Sequence, residues 1–540
     1  VVKWSALLLA IVGIIALQLF VNFRGISEPA AMEQATLARE LASGNGFTTK
    51  SVRPLAMWQL SSNGREIPLV NFPETYHAPL NAMANALPLW LTKRFWQMDV
   101  REVVYMLDRV VAAVSIGFFL LSLVLWYIVA WRLFDSKLAI LGTGLLVVCD
   151  LLWRFSLSGL PHMFLLFLFS AAVLCMVQAV HARQSGLFMG LWLSGFGLFS
   201  GLMALTQPLS VWLFAGGLVF IAFYFKPRVF MPALVALVFM LVVAPWLVRN
   251  YQVAGNPFGL AIFSVLDGVR GSEQQWMRSL DPEFAGIGPL AFRGKLEDNF
   301  TTQLGGLFKL LGFSVVAPVF FLTLLHVFKK PERGHFRWYV LLAWLGALTG
   351  MTVFGGGGGE AVAQNQLHML FIPIMTYYGL ALLLVLWSRL PVDYRFLRIA
   401  FFVLIYAICA IPLILALLPG NKGRLHWPPY VPPFISILGN WYAPNEIIAS
   451  DMPWAVGWYA NRKSLLLPTT PQAMVNISDY NQLGGPITGL YLTPLTARLG
   501  FINEIARGEY NAWAPFILRS PNLENFPLQA ATALPIDNEC

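Results

Sequence analysis

The feature that most constrains this chain is a series of uninterrupted apolar stretches, each long enough to cross a bilayer. A helix needs about 20 mainly apolar residues to span the hydrocarbon layer. About eleven segments meet that requirement, near 4–22, 107–130, 138–155, 163–181, 186–205, 208–225, 229–248, 306–328, 337–355, 367–387 and 397–418. Residues 79–95 read as a further short, partly embedded helix. The expected fold is therefore a polytopic α-helical membrane protein. Composition agrees: of 540 residues, 57% are hydrophobic and only 12% charged, against about 25% charged in soluble domains. Trp4 to Phe23 is too long for a signal-peptide core and reads as a retained first span.

The formal charge of +9 does not point to nucleic acid, because the basic residues sit in short loops between apolar segments instead of on one face. That distribution is a topology signal. With Lys3 in the cytoplasm, the cytoplasmic loops hold Arg132 and Lys137, Arg183, Lys226 and Arg228, Lys329 to Arg337, and Arg389 to Arg398. The N-terminus is then inside and the C-terminus outside. All the long polar segments, 24–106, 249–305 and 419–540, fall on the outer side, where any chemistry is expected. Cys149, Cys175, Cys409 and Cys540 have neither metal-ligand nor redox spacing, so no zinc site and no disulfide framework are expected.

The expected domains are a transmembrane domain over 1–418, a Pro- and aromatic-rich linker over 419–445, and a small outer α/β domain over 446–540. In the last, strands at 446–449, 464–467 and 487–492 alternate with helices at 453–461 and 470–479, the pattern of a parallel sheet. After the first span, Ser27 to Ala42 reads as an amphipathic helix on the membrane surface, with Ser27 as N-cap, Pro29 in its first turn and Gly44-Asn45-Gly46 ending it. Glu28 and Glu33 are carboxylates placed to act as a general base; their alternative readings are helix-end electrostatics and a solvated face. His77, just before the 79–95 helix, is a candidate site group. Gly355 to Gly359 lacks the ending of a phosphate-binding P-loop and reads as a flexible loop, a candidate lid.

Several runs resemble the GT-C glycosyltransferases, the superfamily of protein O-mannosyltransferases and of the lipid A aminoarabinose transferases. They are ATLARELASGNGF at 35–47, HAPLNAMANAL at 77–87, SGLPHMFLLFLF at 158–169, APWLVRNYQVAGNPFG at 244–259 and ASDMPWAVGWYANRKSLLLP at 449–468. The resemblance implies an inverting transferase that takes a sugar from a polyprenyl-phosphate donor and passes it to a glycan, lipid or protein acceptor, with no cofactor. It implies a bacterial cytoplasmic (inner) membrane location with the large loops on the periplasmic side. It also implies an acidic catalytic residue after the first span. Spacing back from Ala38-Arg39 favours Glu33, while proximity to the span favours Glu28. Arg249 is the implied ligand of the lipid phosphate, Asp451 a candidate acceptor contact, and His368 stands where the family carries a late-span arginine. Two other readings stay open: a non-catalytic subunit of a larger membrane complex, supported by the altered acidic motif, and a transporter or flippase, which predicts mid-span charges that are scarce here.

Overall fold

The computed structural model describes residues 9, 11–98, 101–183, 186–269, 275–282, 287–355, 359–389, 394–418, 431–493, 496, 510–518 and 526–528. The chain divides into two compact units. One, the span unit, comprises residues 1–23, 112–245 and 296–423; the other, the mixed unit, comprises 24–111, 246–295 and 424–540.

Among the described residues, seven helices are long and apolar enough to cross a membrane: Met106–Leu133, His162–His181, Gly186–Ala204, Phe230–Ala254, Pro331–Phe354, His368–Arg389 and Phe396–Leu417. A pair, Ser136–Val147 and Asp150–Leu157, bends by 56° and adds an eighth if it is one span. Ile11–Asn22 and Pro208–Tyr224 are apolar but shorter. The chain is thus a polytopic membrane protein. The expected span at 306–328 is not one helix. It breaks into the short helices Leu307–Leu310 and Val319–Thr323, because Gly312 and Phe313 both take positive φ, 73° and 54°, and Pro318 follows. Within the span unit, helices close at small residues: a Cβ on Gly216 would lie 2.2 Å from the Leu342 carbonyl oxygen, and one on Gly346 would lie 2.1 Å from that of Trp212.

The mixed unit is built on a four-stranded parallel sheet in the order β1-β3-β2-β4, with β1 Ser51–Val52, β2 Ile447–Ser450, β3 Lys463–Leu466 and β4 Ile487–Tyr491. The three expected tail strands are present within a residue or so of their expected bounds. The fourth, β1, comes from the loop after the first apolar segment and pairs Ser51 with Ser464 and Val52 with Leu465. Parallel pairing requires crossovers. Pro453–Ala455 and the π turn Val456–Ala460 carry the chain from β2 to β3, and Pro471–Asp479 carries it from β3 to β4. The core beneath joins all three polar segments: Val52, Leu55 and Leu60 pack with Leu260 and Trp276, and with Ile447, Leu465, Ile477 and Trp513.

Three helices of the first polar segment complete the frame: α1 Pro29–Ser43, α2 Pro54–Ser62 and α3 Leu80–Leu91. Helix α1 corrects one expectation. Its N-cap is Glu28 and not Ser27. Every residue from Ala30 to Glu40 is buried, so it is an interior helix and not an amphipathic one with a polar face open. Its many alanines and single turn-ending Gly44, at φ 85°, let it pack closely on α3 and on the 453–460 segment. Of the expected linker, residues 431–445 carry the helix Pro432–Trp441; 419–430 lie outside the described residues, as do 356–358 of the glycine run.

Candidate active site

Burying Ala30 to Glu40 of α1 forces Glu33 into the interior at 4% exposure, where a carboxylate must be paired. Two partners meet it. Arg53 Nη2 donates to Oε1 at 2.5 Å and to Oε2 at 2.6 Å. His77 Nε2 lies 2.6 Å from Oε2. Burial by itself would raise the Glu33 pKa, but the Arg53 charge and then the His77 hydrogen bond outweigh it and hold Glu33 down at about 2. Arg53 is in turn held charged: burial opposes its charge, but Glu33, Glu74 and Tyr76 raise its pKa above the usual arginine value.

Local chemistry explains how each partner arrives. Arg53 precedes Pro54, which keeps it extended at φ −103°, ψ 134°, between β1 and α2. Its guanidinium lies 4.5 Å from the centroid of the Tyr76 ring. His77 lies in a tight turn closed by Glu74, whose Oε1 accepts from the backbone N–H groups of Tyr76 at 2.5 Å and His77 at 3.0 Å. The Tyr76 and His77 rings meet edge to face at 5.0 Å.

That turn is clamped by the run at 244–259. Arg249 donates to the Glu74 carbonyl, to the Phe47 carbonyl at 3.3 Å and to Asn250 Oδ1 at 3.0 Å, with its guanidinium over the rings of Phe47 and Trp246. Leu260 N donates to the Thr75 carbonyl at 3.0 Å. Gly259, at φ 58°, passes so close that a Cβ there would lie 2.2 Å from the same carbonyl oxygen. Asp267 follows. Burial pushes its carboxyl up to about 7 against the pull of Lys295 and Arg53.

The far end of α1 is tied to the tail. Arg39 donates to the carbonyls of Trp458 at 2.8 Å and Gly457 at 2.5 Å. Lys50 lies 3.1 Å from Glu40. Burial and the Arg39 charge lower the Lys50 pKa to about 8, against the opposing pull of Glu40. Asp108, fully buried, accepts from Trp458 Nε1 at 2.7 Å, Tyr459 Oη at 3.1 Å and Ile26 N at 3.3 Å.

Of the six residues singled out from sequence, Glu33 and His77 share one cluster. Arg249 supports the His77 turn through backbone carbonyls. Glu28 is half-buried at the N-cap, where its carboxylate makes no capping bond. Asp451 is buried elsewhere in the mixed unit, accepting from Thr493 N at 3.0 Å, Thr493 Oγ1 at 2.9 Å and Thr496 Oγ1 at 3.1 Å, which ties the end of β2 to the end of β4. His368 belongs to the span unit, where Trp344 Nε1 donates to its Nδ1 at 3.1 Å and, among the described residues, its Nε2 is sealed without a partner. Sequence reasoning missed Arg53, Glu74, Asp108 and Asp267. Only Arg53 left a signal, as a cation fixed by the following proline. Among the described residues no three His, Cys, Asp or Glu side chains converge as a metal site.

No family model and no curated protein matches the sequence. The fold has solved counterparts. Apo ArnT from Cupriavidus metallidurans aligns with a TM-score of 0.54 and 12% identity, over 92% of this chain and 94% of that one. The Archaeoglobus fulgidus oligosaccharyltransferase tethered with an acceptor peptide containing the NVT sequon aligns at 0.55 and 12%, over 95% and 71%. The same organism's AglB, in complex with an inhibitory peptide and a dolichol-phosphate, aligns at 0.55 and 11%, over 95% and 72%. In fold, then, this chain is similar to the GT-C membrane glycosyltransferases.

Proposed function

We propose that this protein is an inverting glycosyltransferase that moves a sugar from a polyprenyl-phosphate donor to an acceptor at the outer, periplasmic face of a bacterial cytoplasmic membrane, and that the Glu33 cluster is its acid–base centre. The observation that carries the reading is a buried carboxylate–guanidinium–imidazole cluster in the segment after the first apolar stretch of a chain with the GT-C fold. A lipid-linked phosphate of this general kind accompanies AglB in its solved complex.

The chemistry asks little of the protein beyond placement. Polyprenyl phosphate is a good leaving group, so the acceptor oxygen or nitrogen displaces it in one step at the anomeric carbon, with inversion. What remains is to orient the acceptor, take its proton and offset the charge left on the phosphate. The clamped 74–77 turn supplies a fixed imidazole, and Arg249 serves that turn as a positioning residue. The second reading, a non-catalytic subunit, draws on one observation: both Glu33 oxygens are already filled.

The test is turnover by the purified protein in detergent, given a polyprenyl-phosphate-sugar extract and native acceptors from its source membranes, with donor loss followed by mass spectrometry. Wild type is expected to consume donor, Glu28→Gln to retain turnover and Glu33→Gln to lose at least about a hundredfold. An inert wild type alongside active partner fractions refutes catalysis and supports the subunit reading.

A further inference from the structure

We propose that His77 takes the acceptor's proton at Nδ1, and that Glu33 is a positioning residue behind it. This rests on the glycosyltransferase reading above and changes the identity of the base within it.

The argument is one of hydrogen-bond capacity. A carboxylate only accepts. Glu33 Oε1 accepts from Arg53, and Oε2 accepts from both Arg53 and His77. The shared contact with His77 therefore fixes the hydrogen on Nε2, whichever charge the ring carries. In the neutral ring the lone pair is then on Nδ1. Among the described residues Nδ1 has no hydrogen-bond partner. It also differs from the other buried imidazoles in exposure: His77 retains 4%, whereas His162 and His368 retain none. The ring cannot drift, because its backbone N–H is held by Glu74, its face meets Tyr76, and the turn is fixed by Arg249, Gly259 and Leu260.

Glu33 and His77 thus have the arrangement of a carboxylate–imidazole dyad, in which the acid orients the ring and stabilises its protonated form while the far nitrogen does the proton transfer. The acceptor O–H or N–H attacks the anomeric carbon, the bond from that carbon to the phosphate oxygen breaks, and its electron pair leaves with polyprenyl phosphate. The acceptor proton passes to His77 Nδ1 and later to water. The titratable and charged groups around the ring are Glu33 from α1, Arg53 from the start of α2, and Glu74 and Tyr76 from its own turn. Asp267 faces Arg53 and Tyr76 from the following segment.

His77→Gln separates the two roles, since its amide nitrogen can replace Nε2 as donor to Glu33 but nothing replaces Nδ1. In the full-length protein with the donor extract, kcat is expected to fall by about 10² to 10⁴-fold with donor KM unchanged, and free imidazole to restore part of it. A second readout needs no turnover: diethylpyrocarbonate labelling of the folded wild type, mapped by mass spectrometry, should modify His77 and spare His162 and His368. His77→Gln within threefold of wild type overturns the proposal, and so does a His77 that stays unlabelled. If wild type consumes no donor, the glycosyltransferase reading fails. Labelling then decides separately whether Nδ1 is an open proton acceptor.

Discussion

Arg53→Met is the most informative single perturbation of the cluster. Glu33 is lowered from 4.5 to about 2, which corresponds to about 3 kcal/mol in favour of its charged form over and above the cost of burial. Arg53 supplies the larger favourable part. Removing it leaves a buried carboxylate with His77 alone, and breaking a buried pair from one side costs about 3–5 kcal/mol. Replacing both charges, as Glu33→Gln with Arg53→Met, leaves no stranded ion, so the double variant should be more stable than Arg53→Met alone, with a coupling of about 2–3 kcal/mol. The assay is thermal unfolding in one detergent at one scan rate, followed through the 19 tryptophans. The sign with pH is fixed. A carboxyl held below its ordinary value contributes stability above about pH 4.5 that is lost as pH falls towards 2. The gap between wild type and Arg53→Met should therefore narrow on acidification through that window. Additive losses in the double variant, or an Arg53→Met as stable as wild type at neutral pH, would refute the reasoning.

Two further outcomes test the frame around the cluster. Gly259→Ala should cost about 1–3 kcal/mol and depress turnover, because the residue must hold φ 58° while its Cβ meets the Thr75 carbonyl oxygen at 2.2 Å; unfolding and turnover of the same preparation check it. Asp451→Asn should be tolerated and should gain on wild type as pH rises. Burial pushes Asp451 up to about 6 from 3.8, so ionising it in the folded state removes stability between about pH 4 and 6. Melting temperatures across that range read the difference, and an asparagine variant that loses stability at pH 8 would contradict it.

Periodicity and length made most of the spans and all three tail strands legible, because those signals are local. The break at 310–320 was not, since Leu, Phe and Val satisfy a hydropathy count whether or not the backbone turns at Gly312 and Phe313. Strand β1 was invisible at two residues long; only the tail gives Ser51 and Val52 a strand to pair with. Glu33 was legible as one of two candidates, but its burial was not, because alanine-rich α1 carries the same pattern on a surface as in an interior. The 244–259 run was noticed for its resemblance, yet its use here, gripping the carbonyls of Glu74 and Thr75, depends on contacts about 175 residues apart in sequence, as with Arg249 and Glu74. Asp108 sat in the opening turn of a long apolar helix and could not be distinguished from an ordinary helix-start acid until Trp458 and Tyr459 met it.

The parallel pairing of β1 with β3 has a consequence for biosynthesis. Arg39 finds its carbonyl acceptor at Gly457 only across 418 residues of chain, and Ser51 waits for Ser464. A ribosome-bound nascent chain shorter than this has inserted its early apolar helices while the edge strand beside Arg53 still lacks a neighbour. Strand β1 is therefore among the last parts of the mixed unit to become rigid, and a chain terminated before about residue 464 would leave it without a neighbour, a natural substrate for quality-control proteolysis.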